Sequence, residues 1–126
     1  MVETQIKRSV VVGATPNQNR YAWLASEMLQ EDGYPFIPLG IKTGEVFGQE
    51  ILDIRKQPLI ENVHTLTLYV GANNLEPYHD YLLSLRPKRI IFNPGAENPK
   101  LYQAALQQNI EVIEACTLVM LRSRQY

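Results

Sequence analysis

The sequence predicts an α/β fold in which a mostly parallel, five-stranded sheet carries helices on both faces. Short apolar segments alternate with segments of helical periodicity through most of the chain, an order typical of parallel sheets with right-handed crossovers. The first apolar segment, Val10–Val12, lacks polar alternation, as expected of a strand buried on both faces. With 126 residues and 45% hydrophobic content, residues 1–126 fit a single domain with one core.

The first strand–helix unit starts with a strand predicted at Arg8–Gly13. A polar loop, Thr15–Asn19, separates it from a helix predicted over Arg20–Asp32, where apolar residues recur at helical spacing. Gly33 supplies the helix stop.

The second strand, Tyr34–Leu39, contains Pro35 and Pro38, so it is either short or placed where two N–H groups are not needed. A glycine-rich loop, Gly40–Gly48, follows it. The sequence leaves Ile51–Ile54 open between a strand fragment and a turn.

The rest of the chain continues the alternation. The predicted order is a short helix at Asp53–Gln57 with a link at Pro58–Glu61, a third strand at Thr65–Val70, a loop at Gly71–Asn74, a helix at Leu75–Leu85, a fourth strand at Arg89–Phe92, a turn at Asn93–Gly95, a helix from Asn98 and Pro99 to about Gln108, a fifth strand at Ile110–Ile113, and Cys116–Arg122 as a short closing helix or extended tail.

The loops after the strands are the predicted functional region. In a parallel sheet these loops all lie at one edge, where ligands bind near the reversal of strand order. Gly13–Ala14–Thr15 forms a tight turn directly before a helix. Because a helix N-terminus has unpaired N–H groups and partial positive charge, this turn predicts a phosphate-binding loop.

Composition excludes several classes of function. A net charge of −1 provides no basic surplus for nucleic acid, and no apolar run approaches the ~20 residues of a membrane helix. The polar segment Met1–Arg8 lacks a signal-peptide core. A single cysteine, Cys116, excludes an internal disulfide framework and fits the cytoplasm. Neither His64 nor His79 has a partner at metal-ligand spacing, so no metal site is expected.

The residues around Lys42 indicate which cofactor the loops suit. A dinucleotide fold normally has Gly-x-Gly-x-x-Gly and then an acidic residue after the second strand. Here only Gly13 fills the glycine pattern, and the second strand leads to Lys42. A cation there attracts a phosphate on the ribose, and coenzyme A carries a 3′-phosphate as well as a diphosphate.

Several of these residues resemble a known family. The set comprises Gly13–Ala14–Thr15 with Arg20–Tyr21, Pro38 with Lys42, Gly48 and Cys116. It resembles the small single-domain CoA-binding proteins, which are similar to the N-terminal domain of the succinyl-CoA synthetase alpha chain, over roughly Arg8–Leu121. The resemblance implies a Rossmann-like three-layer sandwich holding CoA or acyl-CoA along the strand ends. By that similarity Gly13, Ala14, Thr15 and Arg20 face the diphosphate, Pro38 and Lys42 flank the adenine and ribose phosphate, and Val70, Gly71, Asn93, Pro94 and Gly95 line the path of the adenosine or pantetheine.

The expected function is a small cytoplasmic CoA-binding protein without catalysis of its own. Acyl-CoA synthetases that share the domain need further domains, which are not expected here, so enzyme activity is uncertain. The alternative is an NAD(P)- or other nucleotide-binding enzyme, or a regulatory subunit, of the same fold. A protein partner or a homodimer stays open. Cys116 is expected to line the ligand or to be structural rather than reactive, and Thr117–Leu121 belongs either to the core or to a dimer seam.

Overall fold

The computed structural model describes residues 7–126, so most of the segment Met1–Arg8 lies outside the described residues. The elements in chain order are β1 (Ser9–Val12), α1 (Tyr21–Glu31), β2 (Phe36–Gly40), β3 (Glu45–Val46), β4 (Gln49–Glu50), β5 (Leu52–Asp53), a 3₁₀ turn (Ile54–Lys56), β6 (Thr65–Leu68), α2 (Ala72–Leu75), a second 3₁₀ turn (Glu76–Tyr78), α3 (His79–Ser84), β7 (Arg89–Phe92), α4 (Pro99–Gln107), β8 (Glu111–Glu114) and α5 (Thr117–Arg122).

The main sheet has the strand order β5-β2-β1-β6-β7-β8, and every neighbouring pair is parallel. The predicted parallel sheet is therefore confirmed, but the predicted count of five strands is wrong. The sixth strand, β5, consists of two residues that pair only with Leu39 and Gly40. Because β5 does not extend as far back as Pro38, the missing N–H of that proline disrupts no pairing with it.

The two faces of the sheet carry different helices, which confirms the three-layer architecture. Val10 and Val12 point to the face covered by α2, α3 and α4, in a core that includes Leu82 and Leu101. Val11 points to the opposite face, where α1 and α5 supply Leu29 and Leu121. The central strand is thus buried on both sides, as its unbroken apolar sequence predicts.

The glycine-rich segment after β2, predicted as a loop, contains a small antiparallel hairpin. Its strands, β3 and β4, pair through Val46 and Gln49. Phe47 and Gly48 between them have φ values of 50° and 82°, the signature of a two-residue turn with two left-handed positions. Strands of two residues are too short to show an alternation of apolar and polar side chains. The glycine in the turn is therefore the sequence feature that indicates this hairpin.

Helix boundaries follow the predicted caps with one correction. Asn98 Oδ1 accepts the N–H of Leu101 at 3.1 Å, which confirms the predicted cap of α4. The helix predicted at Leu75–Leu85 instead begins at Ala72, with Gly71 at its N-cap. Pro77 lies in the 3₁₀ turn that separates α2 from α3. The predicted loop at Gly71–Asn74 is therefore mostly helical.

The closing segment of the chain is helical and belongs to the core. In α5, Leu118, Met120 and Leu121 are buried, whereas Val119 is 59% exposed. Beyond α5, the ring of Tyr126 lies 4.5 Å from Arg89 Cζ, and its hydroxyl is hydrogen-bonded to that of Ser9. Within residues 7–126, none of the helices combines the length and apolar character needed to cross a membrane.

Candidate functional site

The strand order reverses between β1 and β6, and the loops that leave β1, β2, β6 and β7 meet at the carboxyl ends of these strands. From β1 the chain crosses to β2 on one side, whereas β6 leads to β7 and β8 on the other. In open parallel sheets this reversal creates the crevice in which ligands bind. We call this edge the carboxyl-end rim and the opposite edge the amino-end rim.

Gly13 brings the β1 and β6 loops into contact. Its φ is +97°, a conformation that suits glycine. A Cβ at this position would lie 2.8 Å from Val70 Cγ2 and 3.1 Å from the Tyr69 carbonyl oxygen. Gly13 and Val70, two predicted site residues, are therefore neighbours at the point of strand reversal.

The N–H groups of the predicted phosphate turn are partly used by the protein itself. Gly13 and Ala14 both donate to the Leu39 carbonyl oxygen, at 2.8 and 3.1 Å. Ala14 is only 1% exposed, and its backbone lies against Gly40. In this structure Ala14 therefore joins the ends of β1 and β2, and the first residue of the turn with an accessible side chain is Thr15.

Thr15 and Arg20 bound the exposed part of this loop. The Thr15 hydroxyl oxygen accepts the N–H of Asn17 at 3.1 Å, which leaves its own hydrogen free to donate. Arg20 is the exposed N-cap residue of α1, and its side chain does not cap the helix. The loop therefore presents a hydroxyl donor and a guanidinium at its two ends.

Lys42 lies beside the same loop because the segment after β2 folds back over it. Gly40 contacts Ala14, and a Cβ on Gly44 would lie 3.2 Å from Pro16 Cγ. Lys42 is exposed between these two contact points. The ion pairs among residues 7–126, Asp53–Arg55 and Glu76–Lys100, involve neither Lys42 nor Arg20. Two cations without an acidic partner in the described chain thus flank Thr15–Asn19, an arrangement suited to an anion with several charges.

The hairpin formed by β3 and β4 holds this segment against α1. The rings of Phe47 and Trp23 have centroids 5.0 Å apart. Val46 is buried in the same core as Ala14 and Ala22. No local sequence pattern predicts this aromatic contact, because Trp23 and Phe47 are separated by a strand and a loop.

Asn93, at the end of β7, uses its side chain inside the protein. It is 1% exposed. Its Nδ2 donates to Thr67 Oγ1 and to the Leu68 carbonyl oxygen, both at 2.8 Å, and its Oδ1 accepts the N–H of Thr117 at 2.8 Å. Asn93 therefore ties the ends of β6, β7 and α5 together. The exposed surface of this turn is provided by Pro94 and Gly95.

The turn after β7 has a defined shape. Ala96 N–H donates to the Asn93 carbonyl oxygen at 2.8 Å, and Gly95 has a φ of +90°. Proline at the second position and a left-handed glycine at the third are typical of a type II turn. Glu97 Oε1 accepts the N–H of Gly95 at 3.0 Å, so this carboxylate stabilises the turn.

A buried polar cluster lies beneath the rim and was not predicted from the sequence. Thr67 and Thr117 share a hydrogen bond of 2.7 Å. Tyr69 Oη is buried near them without a hydrogen-bond partner. Burial is the main reason that the pKa of Tyr69 lies above its ordinary value, and the neighbouring threonine hydroxyls partly oppose that shift. The polar threonines of the buried segment Thr65–Leu68 were the available sequence signal.

The remaining predicted residues occupy different depths. Cys116 is the half-buried N-cap residue of α5, and Gly71 is exposed beside half-buried Val70. Pro38 is buried, level with Val11 in the sheet. In the described part of the chain, no three His, Cys, Asp or Glu side chains group closely enough to hold a metal ion.

Two surface concavities lie at the amino-end rim. One, of about 480 Å³, is lined in part by Asp32, Tyr34 and Arg124; the other, of about 580 Å³, is lined in part by His64 and Arg86. Neither contains a predicted site residue. The candidate site is therefore a set of contacting loops at the carboxyl-end rim.

Comparison with solved structures supports this fold. A protein described as uncharacterised shares 46% identity, with a TM-score of 0.93, over 98% of this chain and 100% of that chain. A Thermus thermophilus protein shares 26% identity, with a TM-score of 0.83, over 98% of this chain and 92% of that chain. A dinucleotide-forming acetyl-coenzyme A synthetase from Ca. Korarchaeum cryptofilum, solved with phosphate and ADP, contains a region of the same fold. It shares 15% identity, with a TM-score of 0.70, over 86% of this chain and 25% of that chain.

Among curated proteins, none matches this chain significantly. A family model described as a CoA binding domain matches residues 7–122, nearly the whole chain. The family expected from the loop residues is thereby confirmed: this chain belongs to the CoA binding domain family.

Proposed function

We propose that this protein binds coenzyme A, free or acylated, at the carboxyl-end rim, as a single CoA-binding domain in the cytoplasm without catalysis of its own. The observation that carries the proposal is the family match across residues 7–122. The rim supports it with two exposed cations, Arg20 and Lys42, beside one polar loop.

In the proposed complex the diphosphate of CoA lies at the β1–α1 loop. The Thr15 hydroxyl donates to a phosphate oxygen, and the Arg20 guanidinium neutralises its charge. Gly13 keeps the loop close to Val70, so no side chain stands between the loop and the end of β6. Ala14 contributes by fixing the turn to Leu39.

Lys42 meets the 3′-phosphate on the ribose in this proposal. The contacts of Gly40 with Ala14 and of Gly44 with Pro16 hold the Lys42 backbone beside the diphosphate loop. Buried Pro38 supports the end of β2 beneath it. Val70, Gly71, Pro94 and Gly95 border the remaining path across the rim towards Cys116, and Asn93 holds the β7 turn in place from below.

The first test is calorimetric titration with CoA and with dephospho-CoA. Replacing Lys42 by alanine removes a charge-assisted contact, so we expect CoA affinity to fall about tenfold or more. Affinity for dephospho-CoA should change little, because that ligand lacks the 3′-phosphate. Lys88→Ala is the matched control, since Lys88 is also exposed but lies before β7 at the opposite edge.

Other outcomes separate this proposal from its alternatives. Equal binding of both ligands by the wild-type protein would retain CoA but remove the role of Lys42. NADPH binding without competition from CoA would favour the NAD(P)-enzyme alternative, in which Lys42 meets a 2′-phosphate. Absence of binding for CoA, dephospho-CoA and NADPH would indicate a regulatory subunit with a rim that no longer binds nucleotides.

A further inference from the structure

The contact between His79 of α3 and Asn98 before α4 links two elements on one face of the sheet. Asn98 Nδ2 lies 3.0 Å from His79 Nε2. Asn98 is only 2% exposed. Its Oδ1 accepts the N–H of Leu101, so the same amide group caps α4 and contacts the imidazole.

The chemistry of the amide determines which form of His79 fits. A side-chain amide has one acceptor oxygen and one donor NH₂. Since the oxygen faces the Leu101 N–H, the NH₂ faces His79 Nε2, which must therefore accept. This requires neutral imidazole with its proton on Nδ1.

Protonation of His79 would place two donors, its own Nε2–H and the Asn98 NH₂, against each other. Rotating the Asn98 amide would relieve that conflict, but its NH₂ would then face the Leu101 N–H. The α4 cap would be lost, and losing such a cap destabilises a helix. The capped helix and a protonated His79 are thus incompatible in this geometry.

The charges around His79 act in both directions. Burial is the largest influence and holds the pKa of His79 below its ordinary value of 6.5, and Lys100 acts in the same direction. Glu76 and Asp80 oppose it. Lys100 also pairs with Glu76 at 3.2 Å between exposed side chains.

We propose that the His79–Asn98 contact is a pH-sensitive latch that holds the start of α4, and with it the β7–α4 loop, only while His79 is neutral. The loop runs directly from the Asn93–Ala96 turn into the Asn98 cap. A consequence for ligand binding rests on the proposed function, because that loop forms part of the carboxyl-end rim.

The test is an NMR titration of the full chain from about pH 8 to about pH 5, the range in which histidine titrates. We expect neutral His79 to carry its proton on Nδ1 and to titrate below 6.5. The Leu101 amide resonance should shift with the same midpoint. In His79→Gln, whose side-chain carbonyl can accept from Asn98, that shift should disappear. A Leu101 resonance that ignores His79, or a proton on Nε2 of neutral His79, would overturn the proposal.

In the variant Asn98→Asp, the pKa of His79 is expected to shift in the opposite direction. A carboxylate still caps α4, but it attracts protonated imidazole, so the pKa of His79 should move above 6.5. A value that stays below 6.5 in this variant would contradict the latch geometry.

The link to the rim is measured separately through the ratio of CoA affinities of wild type and His79→Gln. The affinity of the wild-type protein divided by that of His79→Gln should fall as the pH is lowered through the pKa of His79. A ratio that does not change with pH would overturn the link. If CoA does not bind at any pH, the proposed function fails, whereas the Leu101 titration still decides whether the latch exists.

Discussion

At the scale of single residues, two separate requirements favour glycine at position 13, one from the packing of the protein and one from the proposed ligand. A short glycine motif before a helix suits a phosphate, but here the glycine is also required by the close approach of Val70 and Tyr69. The structural requirement holds whether or not a ligand is bound, so it can be tested through stability alone.

Gly13→Ala should lower the free energy of unfolding by about 2–4 kcal/mol. Left-handed backbone costs a non-glycine residue about 1–2 kcal/mol, and the clash with Val70 adds an overpacking term of similar size. The measurement is urea unfolding followed by circular dichroism. Gly33→Ala is the control, since Gly33 has a φ of +81° but no non-adjacent residue within 4 Å of the place its new methyl group would occupy; its loss should be only the backbone cost of about 1–2 kcal/mol. Equal losses in the two variants would show that the Val70 contact is unimportant.

The same scale shows what a sequence can and cannot predict. Gly13, Thr15 and Lys42 are predictable as site candidates because each lies at or just after the carboxyl end of a predicted strand, the edge of a parallel sheet at which ligands generally bind. The internal role of Asn93 is not, because its partners Thr67 and Thr117 lie 26 and 24 residues away. Contacts between distant segments leave no local periodicity in the sequence.

At the scale of elements, the β3–β4 hairpin determines where Lys42 lies. It packs Phe47 on Trp23 and brings Gly44 against Pro16. Phe47 does so in a left-handed conformation, with a φ of 50°, which is unusual for a bulky residue. The ring contact with Trp23 accompanies this backbone strain.

Phe47→Ala should lower the free energy of unfolding by about 1 kcal/mol, because the aromatic contact is lost. Phe47→Asn should cost less than the alanine variant, since asparagine tolerates the left-handed conformation better. Urea unfolding measures both. Tyr21→Ala is the control: Tyr21 is 71% exposed, so its change should stay within about 0.5 kcal/mol. An Asn variant as unstable as the Ala variant would argue against strain at Phe47.

The long strands and helices could be predicted because apolar residues repeat along them, as in Val10–Val12 and α4. The short edge strand β5 and the hairpin could not, since two residues carry no period. Pro77 interrupts the predicted helix Leu75–Leu85 near its start, where it lies in the 3₁₀ turn between α2 and α3. Neither this turn nor the helix start at Ala72 was predicted, because the sequence alone does not distinguish a helix start from a polar loop such as Gly71–Asn74.

At the scale of the whole molecule, the two histidines make stability depend on pH. Burial is the main reason that the pKa values of His64 and His79 lie below 6.5, and neighbouring cations, Arg89 first for His64 and Lys100 for His79, contribute. In the unfolded chain both return to ordinary values. The unfolded state therefore binds more protons in the window just below pH 6.5, and stability rises with pH there.

The wild-type midpoint of urea unfolding should accordingly be lower at about pH 5.5 than at about pH 7.5. The stabilisation is fully present above the unfolded pKa and is lost as the pH falls towards the folded values. In the double variant His64→Gln/His79→Gln the difference between the two conditions should shrink. The assigned pKa directions would be contradicted if acidification raised the urea midpoint of the wild-type protein, and raised it more than the midpoint of the double variant.

The two outer strands of the main sheet also bear on aggregation. Exposed strand edges can recruit further chains into extended sheets, and proteins counter this with short or charged edge strands. Here β5 has two residues, and β8 places exposed Glu111 and Glu114 at its two ends. A second copy adding to β8 in an antiparallel, in-register manner would bring like charges together at both ends of the new pair. The short β5 and the charged ends of β8 thus disfavour the addition of further strands at the two edges of the sheet.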